Sequence, residues 1–100
     1  MNTMKNLEEI KVILRQHHSE LESRFKVKNI GVFGSYVRGE QKKRSDIDIL
    51  ITFKGSVDLI QFIQLENHLS ELLGVKVDLV TKGALKPYIG KRILEEVVYV

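Results

Sequence analysis

Three aspartates are the residues of this sequence whose type and spacing point most directly to chemistry. Asp46 and Asp48 lie two positions apart in a run rich in branched apolar residues, so on a strand both side chains would point to the same face. Asp78 lies in a later alternating run, and pairing of the two strands would bring its carboxylate to that face. Three carboxylates in a chain without cysteine suit a hard divalent cation, above all Mg²⁺. Taken alone, the Asp-x-Asp pair also fits an aspartate that ends a turn followed by one that faces solvent.

A Gly-Ser pair and a nearby arginine suit the binding of phosphate. Gly34 and Ser35 close an earlier β-prone run, and a short helix is predicted to begin there, with N–H groups available to an anion. Ser35 adds a hydroxyl donor, and Arg38, close to one helical turn further on, could reach a phosphate with two N–H groups. No Gly-Lys-Ser/Thr follows, so the segment is not a Walker A loop. The alternative is an ordinary strand-to-turn glycine with a surface arginine.

The order of these elements is more specific than any one of them. A Gly-Ser pair, ten intervening residues, an Asp-x-Asp with apolar neighbours and a later strand aspartate together resemble the DNA polymerase β-type nucleotidyltransferase superfamily. Within it, the chain is most similar to the minimal nucleotidyltransferase (MNT) antitoxins. Three segments carry that closer likeness: Gly34–Gly39, Ser45–Asp48 and Ile93–Val97. The resemblance extends over essentially the whole chain.

The resemblance implies a set of metal ligands. Asp46 and Asp48 would hold two Mg²⁺ ions, and Asp78 would complete the site of the metal nearer the attacking hydroxyl and help to accept its proton. Paired metals of this kind neutralise charge on both the entering and the leaving oxygen of an in-line displacement at phosphorus.

The resemblance also implies a substrate and an activity. The Gly34 backbone, Ser35 and Arg38 would hold the β- and γ-phosphates of ATP. The protein would be a Mg²⁺-dependent protein adenylyltransferase and a type VII-like antitoxin, which transfers AMP to a tyrosine of a partner HEPN-domain ribonuclease toxin.

Two other functions are compatible with the sequence. One is a non-catalytic antitoxin of the same fold that inhibits its partner by contact alone, although such a protein would have no reason to keep three facing carboxylates. The other is a transferase that acts on a small molecule or on RNA, but those branches usually carry an additional domain for the acceptor, and 100 residues leave no room for one. Direct binding of nucleic acid is not expected. The sequence leaves open whether the protein forms homo- or hetero-oligomers.

Composition limits the class of protein. The chain has 100 residues, of which 43% are hydrophobic and 29% charged, with a net charge of +3 and no cysteine. These values fit one globular domain, residues 1–100, without disulfides or zinc–thiolate sites. No apolar run exceeds four residues, so neither a membrane span nor a secretory signal is predicted, and the expected location is the cytoplasm.

Three β-prone runs are predicted to position the candidate site. Residues 29–33 precede the Gly-Ser pair, residues 46–53 contain the Asp-x-Asp, and residues 75–80 contain the third aspartate. The fold class is therefore α/β (α+β), a small mixed sheet of three or four strands covered by helices. The conformation of Val97–Val100, helix end or strand, is left open.

Helices are predicted before, between and after these strands. One amphipathic helix extends from Leu7 to Leu21, and a second, from Leu59 to Leu73, has Ser56 as its N-cap and ends at Gly74. A last helix begins at Pro87.

Several basic residues have no assigned role. The run Lys42-Lys43-Arg44 lies between the two halves of the motif, and a solvated loop is its simplest interpretation. Lys91 and Arg92 lie in the last predicted helix, and the sequence does not decide whether they touch substrate.

Overall fold

The fold is a four-stranded mixed sheet with helices packed against it, seen in a computed structural model that describes residues 6–42, 46–84 and 87–100. Lys43, Arg44 and Ser45 lie outside the described residues. The elements in chain order are α1 (Leu7–Gln16), α2 (His18–Phe25), β1 (Val27–Phe33), α3 (Ser35–Arg38), β2 (Ile47–Phe53), α4 (Leu59–Leu73), β3 (Val77–Thr81), a 3₁₀ turn (Lys82–Ala84), α5 (Pro87–Glu96) and β4 (Val98–Tyr99). The predicted fold class is confirmed. None of the helices in the described residues is long and apolar enough to cross a membrane.

The strands lie in the order β3-β2-β1-β4. β1 pairs antiparallel with β2 and β4, whereas β2 and β3 are parallel and are connected through α4. The conformation of Val97–Val100 was left open by the sequence, and in the structure Val98 and Tyr99 form a short edge strand. Gly31 permits this closure, since a Cβ at its position would lie 2.4 Å from Cγ2 of Val97 and 3.2 Å from the ring of Tyr99.

The core lies between one face of the sheet and helices α1, α2 and α4. Alternation along β2 sends Ile47, Ile49 and Ile51 into this core, where each is fully buried. The neighbouring strands and the three helices contribute the other fully buried side chains of the cluster: Ile10, Leu14, Leu21, Val27, Ile30, Val32, Leu65, Leu69 and Leu73. Burial of this face fixes the register of β2, and it thereby fixes which residues β2 presents on the opposite face.

The single helix predicted from Leu7 to Leu21 is divided into two at His17. This residue ends α1 and precedes α2, with φ −105° and ψ 6°, and its ring Nδ1 lies 2.9 Å from the Ile13 carbonyl oxygen. The apolar spacing continues across the break because Leu14 and Leu21 both enter the same core. Periodicity alone therefore does not show the interruption.

The N-cap of α4 is Asp58, not Ser56 as predicted. The Asp58 carboxylate accepts the N–H of Gln61 at 2.8 Å, and the Gln61 side chain accepts the N–H of Asp58 at 3.1 Å, which together form a capping box. The predicted end of the helix at Gly74 is confirmed, and this glycine has the left-handed conformation with φ +68°.

Candidate active site

Two of the three aspartates lie side by side at one end of the sheet. Asp48 is the register partner of Phe33 on β1 and of Asp78 on β3, so the end of β1 and the two aspartates form one row across three strands. Residues paired in this way share a face, which is opposite to the one that Ile47 and Ile49 bury in the core. The predicted convergence of Asp48 and Asp78 is therefore found in the structure.

Asp46 lies immediately before β2 and is exposed. The pKa of Tyr36 on α3 is raised, first by burial of its ring and then by the negative charge of Asp46. Asp46 is therefore close enough to α3 for its charge to act on Tyr36.

The Asp48 carboxyl is the strongly perturbed group of this cluster. Its pKa is raised from 3.8 to about 6, first by burial and then by repulsion from Asp78 and Asp46. Arg38 opposes the rise and Glu96 adds to it. Unfavourable charge of this kind at a group of carboxylates is what a bound cation would relieve.

Gly34 brings the turn after β1 against Asp48. It has φ +81°, and a Cβ at its position would lie 2.1 Å from Oδ2 of Asp48, so no larger residue fits without displacing that carboxylate. α3 begins at Ser35, as predicted, and its first turn is closed by bonds from Val37 and Arg38 to the Gly34 carbonyl. The Gly-Ser pair and the Asp-x-Asp thus meet in space, although ten residues separate them in the chain.

Arg38 is already engaged in the structure. Its Nε donates to Glu40 at 2.9 Å, and its Nη1 lies 2.9 and 3.1 Å from the two carboxylate oxygens of Glu96. These bonds raise the pKa of the guanidinium further, with Glu40 having the larger effect. The sequence predicted a phosphate contact for Arg38 but neither of these ion pairs.

Glu96 is the residue of the site that the sequence interpretation missed. Besides the contact with Arg38, its Oε2 accepts the N–H of Gly34 at 2.6 Å. The segment Ile93–Val97 carries part of the family resemblance, but no spacing in the sequence connects position 96 with position 34. Lys91 and Arg92 are exposed on α5.

The donor chemistry of the three aspartates fits Mg²⁺. Asp46, Asp48 and Asp78 provide carboxylate oxygens alone, which are the ligands that this hard cation prefers. The pKa of Asp48 is raised first by burial and then by the charges of Asp78 and Asp46, and a cation beside it would offset both effects. Over residues 6–42, 46–84 and 87–100, no three acidic, histidine or cysteine side chains are gathered closely enough to form a finished metal site. The backbone therefore brings the candidate ligands to one region, and their side chains would still have to turn towards a cation.

Comparison with known sequences gives one family. The family model of the nucleotidyltransferase domain matches residues 14–100. The protein adenylyltransferase MntA of Thermococcus cleftensis is 57% identical over 97 residues, which cover 97% of this chain and 98% of that protein.

Comparison with solved structures supports the same fold. A protein described as a candidate minimal nucleotidyltransferase has a TM-score of 0.80 and 32% identity, with 97% of this chain and 98% of that one covered. A toxin–antitoxin crystallised with AMP-PNP has a TM-score of 0.69 and 27% identity, with 95% and 72% covered.

Proposed function

The chain belongs to the nucleotidyltransferase domain family, and we propose that it is an antitoxin that transfers AMP from ATP to a tyrosine of a partner HEPN ribonuclease toxin. The relative from Thermococcus cleftensis is a protein adenylyltransferase, and a structure of the same fold is a toxin–antitoxin with AMP-PNP. We extend both statements to this chain. The observation that carries the proposal is the row formed by Asp48 and Asp78 beside the Gly34–Ser35 turn.

Asp46, Asp48 and Asp78 are the proposed metal ligands. Mg²⁺ bound there would supply positive charge to the α-phosphate and to the oxygens that enter and leave. The Gly34–Ser35 turn and Arg38 hold the β- and γ-phosphates, so that the α-phosphate lies towards the aspartates. Arg38 carries a second terminal nitrogen, Nη2, which takes part in neither of its ion pairs with Glu40 and Glu96.

The proposed step is an in-line displacement at phosphorus. The tyrosine oxygen forms a bond to the α-phosphorus, and the bond from that phosphorus to the oxygen bridging to the β-phosphate breaks. Pyrophosphate leaves with the electron pair, and the hydroxyl proton passes to a carboxylate, for which Asp78 is the proposed acceptor. Asp78 is exposed on β3, so an acceptor from another protein can approach it.

The proposed acceptor side of the site lies on a partner. The described residues form one small sheet with its helices, and a toxin bound to it would bring the hydroxyl within reach of the α-phosphate and supply the orientation that catalysis needs. AMP on a tyrosine near a ribonuclease site adds bulk and negative charge where an RNA phosphate must bind, so the modified toxin should bind RNA poorly.

Mass spectrometry of the toxin tests the proposal. The protein is incubated with ATP, Mg²⁺ and the toxin encoded beside it, and the intact toxin is then weighed and fragmented. We expect a gain of one or more AMP groups on tyrosine, loss of that gain in EDTA, and loss of it in an Asp46→Asn, Asp48→Asn double variant. Glu71→Gln, which removes one charge from the exposed surface of α4, is the matched control and should retain the activity.

The contact-only antitoxin gives a different result. In that case the toxin is neutralised without any change in mass, and the double aspartate variant neutralises it equally well. That outcome would refute the enzymatic proposal.

A further inference from the structure

Glu96 connects the end of α5 to both groups that would hold the triphosphate. Its Oε2 accepts the Gly34 N–H at 2.6 Å, and its two oxygens lie 2.9 and 3.1 Å from Nη1 of Arg38. It is separated from Gly34 by 62 positions and from Arg38 by 58. One carboxylate therefore fixes the backbone of the Gly-Ser turn relative to the guanidinium.

We propose that Glu96 is a positioning residue that holds the Gly34–Ser35 turn and Arg38 in the arrangement that receives the phosphates of the nucleotide. The inference rests on the proposed function. Of the two carboxylates bound to Arg38, that of Glu96 is the less exposed, at 25% against 64% for Glu40. The ion pair with Glu96 is therefore the less screened by solvent of the two, and a less screened ion pair orients a long side chain more firmly.

Regular structure holds Glu96 in place. It is the last residue of α5, and the next residue, Val97, donates its N–H to the Ile93 carbonyl at 2.9 Å. Val98 then pairs with Val32 on β1, and Gly31 leaves room for this junction to lie close against the sheet. The carboxylate is therefore fixed by a helix end and a strand, which position a side chain more accurately than a loop does.

The direction of the hydrogen bonds favours positioning over competition with the nucleotide. Nε of Arg38 contacts Glu40 and Nη1 contacts Glu96, which fixes the plane of the guanidinium while Nη2 takes part in neither pair. A carboxylate that merely occupied the place of a phosphate would have to leave before ATP binds. Removal of such a competing carboxylate would strengthen nucleotide binding, whereas removal of a positioning residue would weaken nucleotide binding.

Calorimetric titration with Mg²⁺ and AMP-PNP distinguishes the two effects. We expect Glu96→Ala to weaken AMP-PNP binding by about 10-fold or more, since a charge-assisted contact is lost on each of two groups. Glu96→Gln keeps an oxygen for the Gly34 N–H but loses the charge facing Arg38, so its affinity should lie between those of the wild type and Glu96→Ala. Glu95→Gln, an exposed change at the preceding position, is the matched control and should bind as the wild type does.

NMR provides a readout that does not depend on the nucleotide. In ¹H–¹⁵N spectra, the Gly34 amide proton should shift upfield in Glu96→Ala, where its carboxylate acceptor is gone, and should shift less in Glu96→Gln. The Arg38 Nε–H signal should broaden or move in both variants. If Glu96→Ala does not fold, the AMP-PNP affinity and the NMR spectrum of Glu96→Gln test the proposal in its place.

The results separate the two proposals. Binding in Glu96→Ala that is equal to or tighter than that of the wild type, with an unchanged Gly34 amide, overturns the positioning role and leaves the proposed function intact. A wild-type protein that does not bind AMP-PNP overturns the proposed function, and the phosphate-positioning role with it. Weakened binding together with a shifted Gly34 amide supports the role.

Discussion

Replacement of Asp48 by asparagine should stabilise the protein in the absence of metal, although it removes a proposed catalytic group. The pKa of Asp48 is raised from 3.8 to about 6, mainly by burial and by the neighbouring Asp78 and Asp46. At about 1.4 kcal/mol for each unit between the two values, ionisation in the folded state costs about 3 kcal/mol. Because the side chain is partly exposed and solvent screens its charge, we expect Asp48→Asn to raise the free energy of unfolding by about 1–3 kcal/mol.

The effect has a defined pH dependence. Well below pH 4 the carboxyl is protonated in both the folded and the unfolded state, so the wild type and Asp48→Asn should be equally stable. Between about pH 4 and pH 6 the unfolded state ionises first, and the wild type loses stability relative to the variant. Above about pH 6 the difference in free energy of unfolding between the two proteins should have reached its full value and should no longer change with pH.

Urea unfolding of the two proteins in EDTA, from pH 4 to pH 8, measures this difference directly. At pH 7 the variant should have the higher free energy of unfolding, and Mg²⁺ should then stabilise the wild type more than the variant. Glu71→Gln should differ from the wild type by less than about 0.5 kcal/mol at every pH. Equal stabilities at pH 7, or a difference that persists unchanged at pH 4, would show that burial and carboxylate repulsion do not act on Asp48 in this way.

Three further predictions concern the turn, the helix cap and the proposed phosphate contact. Gly34→Ala should destabilise the protein by at least about 2 kcal/mol in thermal melts, because its Cβ would meet the Asp48 carboxylate. Gly39→Ala is the control, since Gly39 has φ +70° but open space around it, and this change should destabilise the protein by about 1 kcal/mol. Equal losses of stability in the two variants would contradict the close contact between Gly34 and Asp48. Asp58→Ala should lower the free energy of unfolding by about 1 kcal/mol and Ser56→Ala by less than about 0.5 kcal/mol, and the reverse order would restore Ser56 as the cap. Ser35→Ala should weaken AMP-PNP binding or slow AMP transfer by the same factor with any acceptor, and an effect confined to one acceptor would exclude the phosphate role.

Local patterns predicted the elements that carry the site. The alternation of Ile47, Ile49 and Ile51 fixes the buried face of β2, and with it the direction of Asp48, because a strand has a period of two. The N-cap of α4 was also within reach of sequence reasoning, since Asp58 and Gln61 have the spacing of a capping box. The prediction of Ser56 as the N-cap did not take this spacing into account.

Long-range contacts could not be predicted in this way. The position of Glu96 against Gly34 depends on β4 pairing with β1, and a two-residue strand has too little pattern to be recognised. The break at His17 escaped for a different reason, because both α1 and α2 bury their apolar residues in the same core and the spacing runs on through the break. Tertiary structure decides each of these features, and neighbouring residues do not reveal them.

The pairing of β4 with β1 determines when the site can be completed during translation. Glu96 is added to the growing chain 62 residues after Gly34, which at about 5–20 residues per second corresponds to about 3–12 seconds. During that interval the edge of β1 that later binds Val98 and Tyr99 is unpaired, and an unpaired strand edge can recruit another chain. A newly made molecule thus passes through a stage in which its aspartates are already synthesised but the Gly34–Ser35 turn lacks its contact with Glu96. Slowing translation over the last few codons before position 99 would lengthen that stage without changing the finished protein.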